Sequence, residues 1–168
     1  YQARRRVAGR PTTPSRTGRD DHQSHMKERS PLLRITSGEL VFEATLLTDL
    51  APKTVEVVRA LLPLRDNVVH GRWSGESVWV PFGDAYSLGL DIYENATCHP
   101  SAGEILIYKG DVSEVEVLIP YGNARFSSKA GDLPGNHFAT VTSGREHLPE
   151  LGRRTLWDGA QELVLEEV

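Results

Sequence analysis

The sequence contains a single cysteine, Cys98. One thiol cannot close an internal disulfide or build a cysteine-based zinc site. Its pairing with a reducing, cytoplasmic compartment is the corresponding expectation. Methionine also occurs once, at Met26, and aromatic residues make up 7% of the chain. No apolar run approaches the ~20 residues that span a bilayer as a helix, and no apolar leader stands near the start. Neither a membrane nor a secretory route is expected. No phosphate-cradling glycine loop, nucleophile motif or dense metal-ligand set is present, so no cofactor and no metal are called for.

What the chain does contain is the content of one ordinary globular domain: 168 residues, 39% hydrophobic and 25% charged. The net charge of −4 is unevenly spread. Residues 1–30 carry eight Lys and Arg against three Asp and Glu, a net of +5, while the rest carries eleven against twenty, a net of −9. An acidic globule argues against nucleic acid as its partner, because phosphate binding needs basic surface. Residues 1–30 lack apolar periodicity and read as a disordered or non-native basic tail, with a native start at Met26 as one option. The patterned domain covers residues 31–168.

The most informative stretch runs from Phe42 to Pro63, FEATLLTDLAPKTVEVVRALLP. Its first residues alternate with period two, which predicts a strand with one buried face. Asp49 to Pro52 form a turn. Pro52 fits the first turn of a helix, and Val55, Val58, Leu61 and Leu62 then recur at helical spacing. Pro63 ends the helix by forcing Leu62 out of helical geometry. A hairpin partner precedes this stretch, around Ser37-Gly38. Further strands are predicted on both sides of Ser74-Gly75, at Glu104–Tyr108, at Val112–Tyr121 and at the C-terminus. In the Val112–Tyr121 strand, Glu114 and Glu116 fall on the face opposite Val115, Val117 and Ile119. Residues 121–135 read as a loop, and Glu146–Leu151 as a short helix capped by Gly152. Strands joined mostly by short turns, with two short helices, predict a closed eight-stranded antiparallel barrel.

Three local patterns, in order, resemble the cyclophilin superfamily. Ala51-Pro52-Lys53-Thr54-Val55-Glu56-Val57-Val58-Arg59-Ala60-Leu61 is similar to its AP-x-T turn followed by V-E-N-F-R-A-L. Glu94-Asn95-Ala96-Thr97 with Gly103-Glu104-Ile105-Leu106-Ile107 resembles A-N-A-G-x-x-x-x-G-S-Q-F-F-I. Leu133 to Gly144, LPGNHFATVTSG, resembles W-L-D-G-K-H-V-V-F-G-x-V-x-x-G. The resemblance implies a cyclophilin-like barrel. It also implies that Arg72, beside His70 in the place of the family's F-H-R, and His137 carry any chemistry and that His70 and Asn95 contact a ligand; the residues themselves add Glu94 as a catalytic candidate and Trp73 and Tyr121 as ligand contacts. The family's Gln position falls on Glu104 or Ile105, and its substrate-contacting Trp falls on Asp132. The pattern is therefore more similar to uncharacterised bacterial cyclophilin-like proteins than to true peptidyl-prolyl isomerases. Some relatives of that fold are subunits of enzymes that open cyclic amides.

For each residue a plainer role stands beside the functional one. Arg72 either polarises a ligand or pairs with a surface carboxylate. Trp73 and Tyr121 either line a site or pack at the barrel end. Glu94 is either an acid–base carboxylate or a solvated loop residue. Three functions remain open: binding of a small carboxylate or cyclic amide, alone or as part of a hydrolase system; weak prolyl isomerisation on a peptide; or a non-catalytic interaction domain. Association of like copies is left open. The first expects a polar cleft joining His70, Arg72, Glu94, Asn95 and His137. The second expects an apolar proline pocket beside Arg72. The third expects that these side chains do not meet.

Overall fold

The computed structural model describes residues 31–168. The basic segment predicted for residues 1–30 lies outside the described residues. Eight strands alternate with two helices: β1 (Leu32–Ser37), β2 (Leu40–Leu46), α1 (Pro52–Leu61), β3 (Leu64–His70), β4 (Gly75–Pro81), β6 (Glu104–Tyr108), β7 (Glu116–Ala124), β10 (Gly135–Ser143), α2 (Leu148–Trp157) and β11 (Gln161–Glu167). Three two-residue strands complete the set, β5 (Ala96–Thr97), β8 (Ser127–Ser128) and β9 (Gly131–Asp132).

The eight long strands run in the order β2-β1-β11-β3-β4-β7-β6-β10, and β10 pairs back onto β2. All of these pairings are antiparallel. The sheet thus closes into a barrel and leaves none of these eight strands as a free edge. The expected barrel with two helices is the observed one. Its interior is filled by the inward set of each strand: Leu33 and Ile35, Phe42 and Ala44, Val78 and Val80, Ile105 and Ile107, Val117 and Ile119, Leu163 and Leu165. Val55 and Val58 of α1 and Leu148 and Leu151 of α2 join the same core.

α1 begins with Pro52 and ends before Pro63, and Leu62 is extended, with ψ 144. This matches the conformational restriction a following proline imposes. Two boundaries differ from the sequence reading. β7 starts at Glu116 and continues through Tyr121 to Ala124, because Gly75 and Ser77 of β4 pair with Ala124 and Pro120 across a bulge. α2 extends from Leu148 to Trp157, which places Gly152 inside the helix rather than at its end. The reason is contact: a Cβ on Gly152 would stand 2.6 Å from Cδ1 of the Tyr121 ring. Glycine is required there for close approach, not for a cap.

Candidate functional site

A barrel strand has an outer face as well as an inner one, and here part of the outer face is covered. Leu106, Tyr108 and Leu118 point outward and bury against Phe126 and Leu133, with Trp79 packed on the same cluster. The segment bearing Phe126 and Leu133 is held to the barrel by main-chain bonds. Phe126 N donates to Cys98 O at 2.7 Å, and Leu133 N to Phe126 O at 2.9 Å. Beside this layer lies a cavity of about 580 Å³, within the size range of small-molecule sites. Its floor is the outer face of β3, β4 and β7. The β3–β4 loop and residues 127–129 form its sides.

The cavity's polar lining is unusual. Glu116 lines it while remaining only 7% exposed. Its carboxyl has no hydrogen bond or ion pair among the described residues. Burial, reinforced by the nearby charge of Glu114, pushes this carboxyl up to about 8, as expected where water is excluded and no cation compensates. Glu114 also lines the cavity, but its carboxylate accepts from Gly83 N at 2.6 Å. Arg72 and Lys129 lie on the lining too, exposed, and neither forms an ion pair among the described residues. Trp79 and the exposed Trp73 supply two indoles. Two free cations, two indoles and an unpartnered acid therefore share one concavity.

His70 lines the cavity and also reaches the barrel end under α2. Its Nδ1 lies 2.9 Å from Gly71 O, and its Nε2 lies 2.7 Å from Tyr121 Oη. A carbonyl only accepts, so Nδ1 of the neutral ring carries the proton and Nε2 accepts from the tyrosine hydroxyl. Burial, with Glu76 adding, pushes the Tyr121 phenol up, which keeps that hydroxyl a donor.

Glu94, Asn95 and His137 are elsewhere. Glu94 Oε2 accepts from Thr54 N and from Thr54 Oγ1, each at 2.8 Å, and its Oε1 accepts from Lys53 N at 3.3 Å. Burial raises this carboxyl, but those hydrogen bonds outweigh it and hold it below the ordinary carboxylate range. The fully buried amide of Asn136 completes the network. It donates to Thr54 Oγ1 and Ile92 O and accepts from Glu94 N. Asn95 adopts φ 48, a left-handed conformation that asparagine tolerates better than most residues. Its Nδ2 donates to His137 O at 3.1 Å. The His137 ring meets Thr140 Oγ1 at 2.8 Å, and burial lowers its basicity.

The register measures the separation. Val69 pairs with Trp79, Trp79 with Leu118, Leu118 with Leu106, and Leu106 with His137. At ~4.8 Å per strand, four steps place His137 roughly 19 Å along the sheet from Val69, three residues before Arg72. The predicted residues thus form two groups: His70, Arg72 and Trp73 at the cavity, with Tyr121 bonded to His70 beside it, and Glu94, Asn95 and His137 around the start of α1 and β10.

The profile of the family described as "Protein of unknown function (DUF3830)" matches residues 33–167. The chain belongs to this family. Among curated proteins, none matches. Solved structures that share the fold include these two. One is that of McbB in complex with tryptophan, 16% identical with a TM-score of 0.60, over 80% of this chain and 44% of that one. This chain thus spans less than half of McbB. The other is the solution structure of the hypothetical protein AF2241 from Archaeoglobus fulgidus, also 16% identical, with a TM-score of 0.54, over 85% of this chain and 100% of that one. Among the described residues, no three His, Cys, Asp or Glu side chains gather as a metal cluster, and no helix is long and apolar enough to cross a membrane.

Trp79, Glu116 and Lys129 are cavity residues that the sequence reading did not single out. Alternation assigned Glu116 to a solvent face. One signal was present: Val117-Leu118-Ile119-Pro120 has no polar residue between its apolar ones. An uninterrupted apolar run in a strand indicates burial on both faces, so the outer face of β7 was marked as covered.

Proposed function

We propose that the protein binds a small organic carboxylate in the outer cavity, with Arg72 and Lys129 receiving the carboxylate and Trp73 and Trp79 taking the apolar body. The supporting observation is the pair of cations on the lining that no carboxylate of the described residues satisfies. Arginine and lysine are the usual carboxylate receptors, and indoles offer large apolar area at low entropic cost. The small-ligand reading made from the sequence is kept, with a different residue set: of its five expected members, the cavity includes His70 and Arg72. The tryptophan bound to the structural neighbour McbB is a ligand of this general class, although at 16% identity that likeness concerns the fold. The charged lining weighs against prolyl isomerisation, which needs an apolar proline pocket.

The dispersal of Arg72, Glu94 and His137 favours a second reading, an interaction domain without chemistry. A thermal-shift screen separates the readings, using 3-phenylpropionate, 5-oxoproline and a proline peptide as probes. At a hundred times its dissociation constant a ligand adds about 2.7 kcal/mol of stability. A shift with either carboxylate, lost in Arg72→Ala while the ligand-free melting temperature is unchanged, is expected. A shift with the proline peptide alone would restore the isomerase. No shift with any probe would favour the interaction domain.

A further inference from the structure

We infer that the ligand of this cavity carries a protonated amine as well as its carboxylate, and that Glu116 is the residue that receives the amine and selects for it. This rests on the reading that a small carboxylate occupies the cavity.

A buried polar group without a partner is costly. The Glu116 side chain is almost wholly buried, its carboxyl has no hydrogen-bond or ion-pair partner among the described residues, and it opens only onto a space large enough for a ligand. Its neighbours among the described residues offer no partner. Its register partner on β6 is Tyr108, and its partner on β4 is Pro81. Glu114, just before β7, is acidic and engaged with Gly83 N. Arg72, Lys129 and His70 line the same cavity, yet none of them hydrogen-bonds or ion-pairs with Glu116. What is missing is a donor or a cation supplied from the cavity itself. An ammonium supplies both, with three N–H donors. The wall bearing Glu114 and Glu116 suits an ammonium, and the free Arg72 and Lys129 suit a carboxylate. The ligand class with both groups on a small apolar body is the amino acid or a close analogue.

Binding of such a ligand is coupled to a proton. The buried carboxyl, pushed up to about 8, is largely uncharged at neutral pH. An ammonium beside it favours the carboxylate. The acid therefore gives its proton to the buffer, the ligand nitrogen keeps all of its own, and a carboxylate–ammonium pair forms. A ligand lacking the amine leaves the proton in place.

The test is calorimetric titration of the full chain with three matched pairs: tryptophan and indole-3-propionate, phenylalanine and 3-phenylpropionate, leucine and 4-methylpentanoate. The members of each pair differ only in the α-ammonium group. Titrations run at pH 7 in phosphate and in Tris, which differ in ionisation enthalpy. In at least one pair the amino acid should bind roughly tenfold tighter and show buffer-dependent heat from proton release. Its advantage should grow with pH below 8, approaching about tenfold per pH unit. Glu116→Gln should remove the advantage and the proton release while still binding the deaminated acid. Equal binding within every pair, or no proton release, overturns the inference and leaves the carboxylate reading standing. Retention of the advantage by Glu116→Gln overturns it likewise. No binding by any of the six compounds overturns both.

Discussion

Glu94 caps a helix from 40 residues away, through Thr54 in its first turn. Its Oε2 stands 2.8 Å from both Thr54 N and Thr54 Oγ1. α1 has no side-chain cap of its own, since Ala51 occupies the N-cap position, and no acidic residue in its first turn. The free N–H groups and positive end of the helix are therefore met by a carboxylate from the long loop before β5. This fastens the loop to the barrel and gives Glu94 a structural task.

Glu94→Ala should destabilise the fold by about 1–2 kcal/mol, the range for losing an N-cap. Because the folded carboxyl sits below its ordinary value, its contribution is present at neutral pH and is lost as pH falls below ~4.5. Chemical denaturation at pH 7 and pH 3.5 measures this. An equal difference between wild type and Glu94→Ala at both pH values would exclude the capping role.

Gly152→Ala tests the packing of α2. Helix propensity alone predicts a gain of about 1 kcal/mol. The Tyr121 ring leaves no room for the methyl group, so overpacking should dominate and cost about 1–3 kcal/mol. The sign of the change in melting temperature decides between the two.

Glu116→Gln should leave stability unchanged in mild acid and increase it in base. The folded carboxyl is held at about 8 against an ordinary 4.5. Folding therefore favours its protonated form, and the wild type loses stability as pH rises from ~4.5 through 8. The loss is on the order of 3–5 kcal/mol. Melting temperatures of both proteins between pH 5 and 9 should diverge with rising pH. Parallel curves would mean that Glu116 is solvated.

Tyr121→Phe removes the donor to His70 Nε2 and should cost about 1 kcal/mol. The ring still packs against Gly152, so the loss should stay well below that of Tyr121→Ala. Equilibrium denaturation of the two variants gives the comparison.

Much of the barrel was legible in local pattern. Alternation in Phe42–Leu46 and Glu116–Ile119 marked strands. Pro52 and Pro63 bounded α1, and short turns around Ser37-Gly38 and Ser74-Gly75 marked hairpins. The candidate site was only partly legible. His70, Arg72 and Trp73 stand at the cavity, and Tyr121 stands beside it. Glu94, Asn95 and His137 were grouped with them, yet the register sets His137 four strands away from β3.

By itself the sequence determined where most of the strands and helices lie and which face of each strand packs inward. These follow from side-chain periodicity and from the backbone limits of proline, which act within a few residues. Tertiary structure alone decided three things: that Phe126 and Leu133 cover the outside of β6 and β7, that Glu116 is thereby buried beside a cavity, and that Glu94 reaches the start of α1. Each depends on a partner distant in sequence. Period-two alternation records one buried face and is silent about what packs on the other.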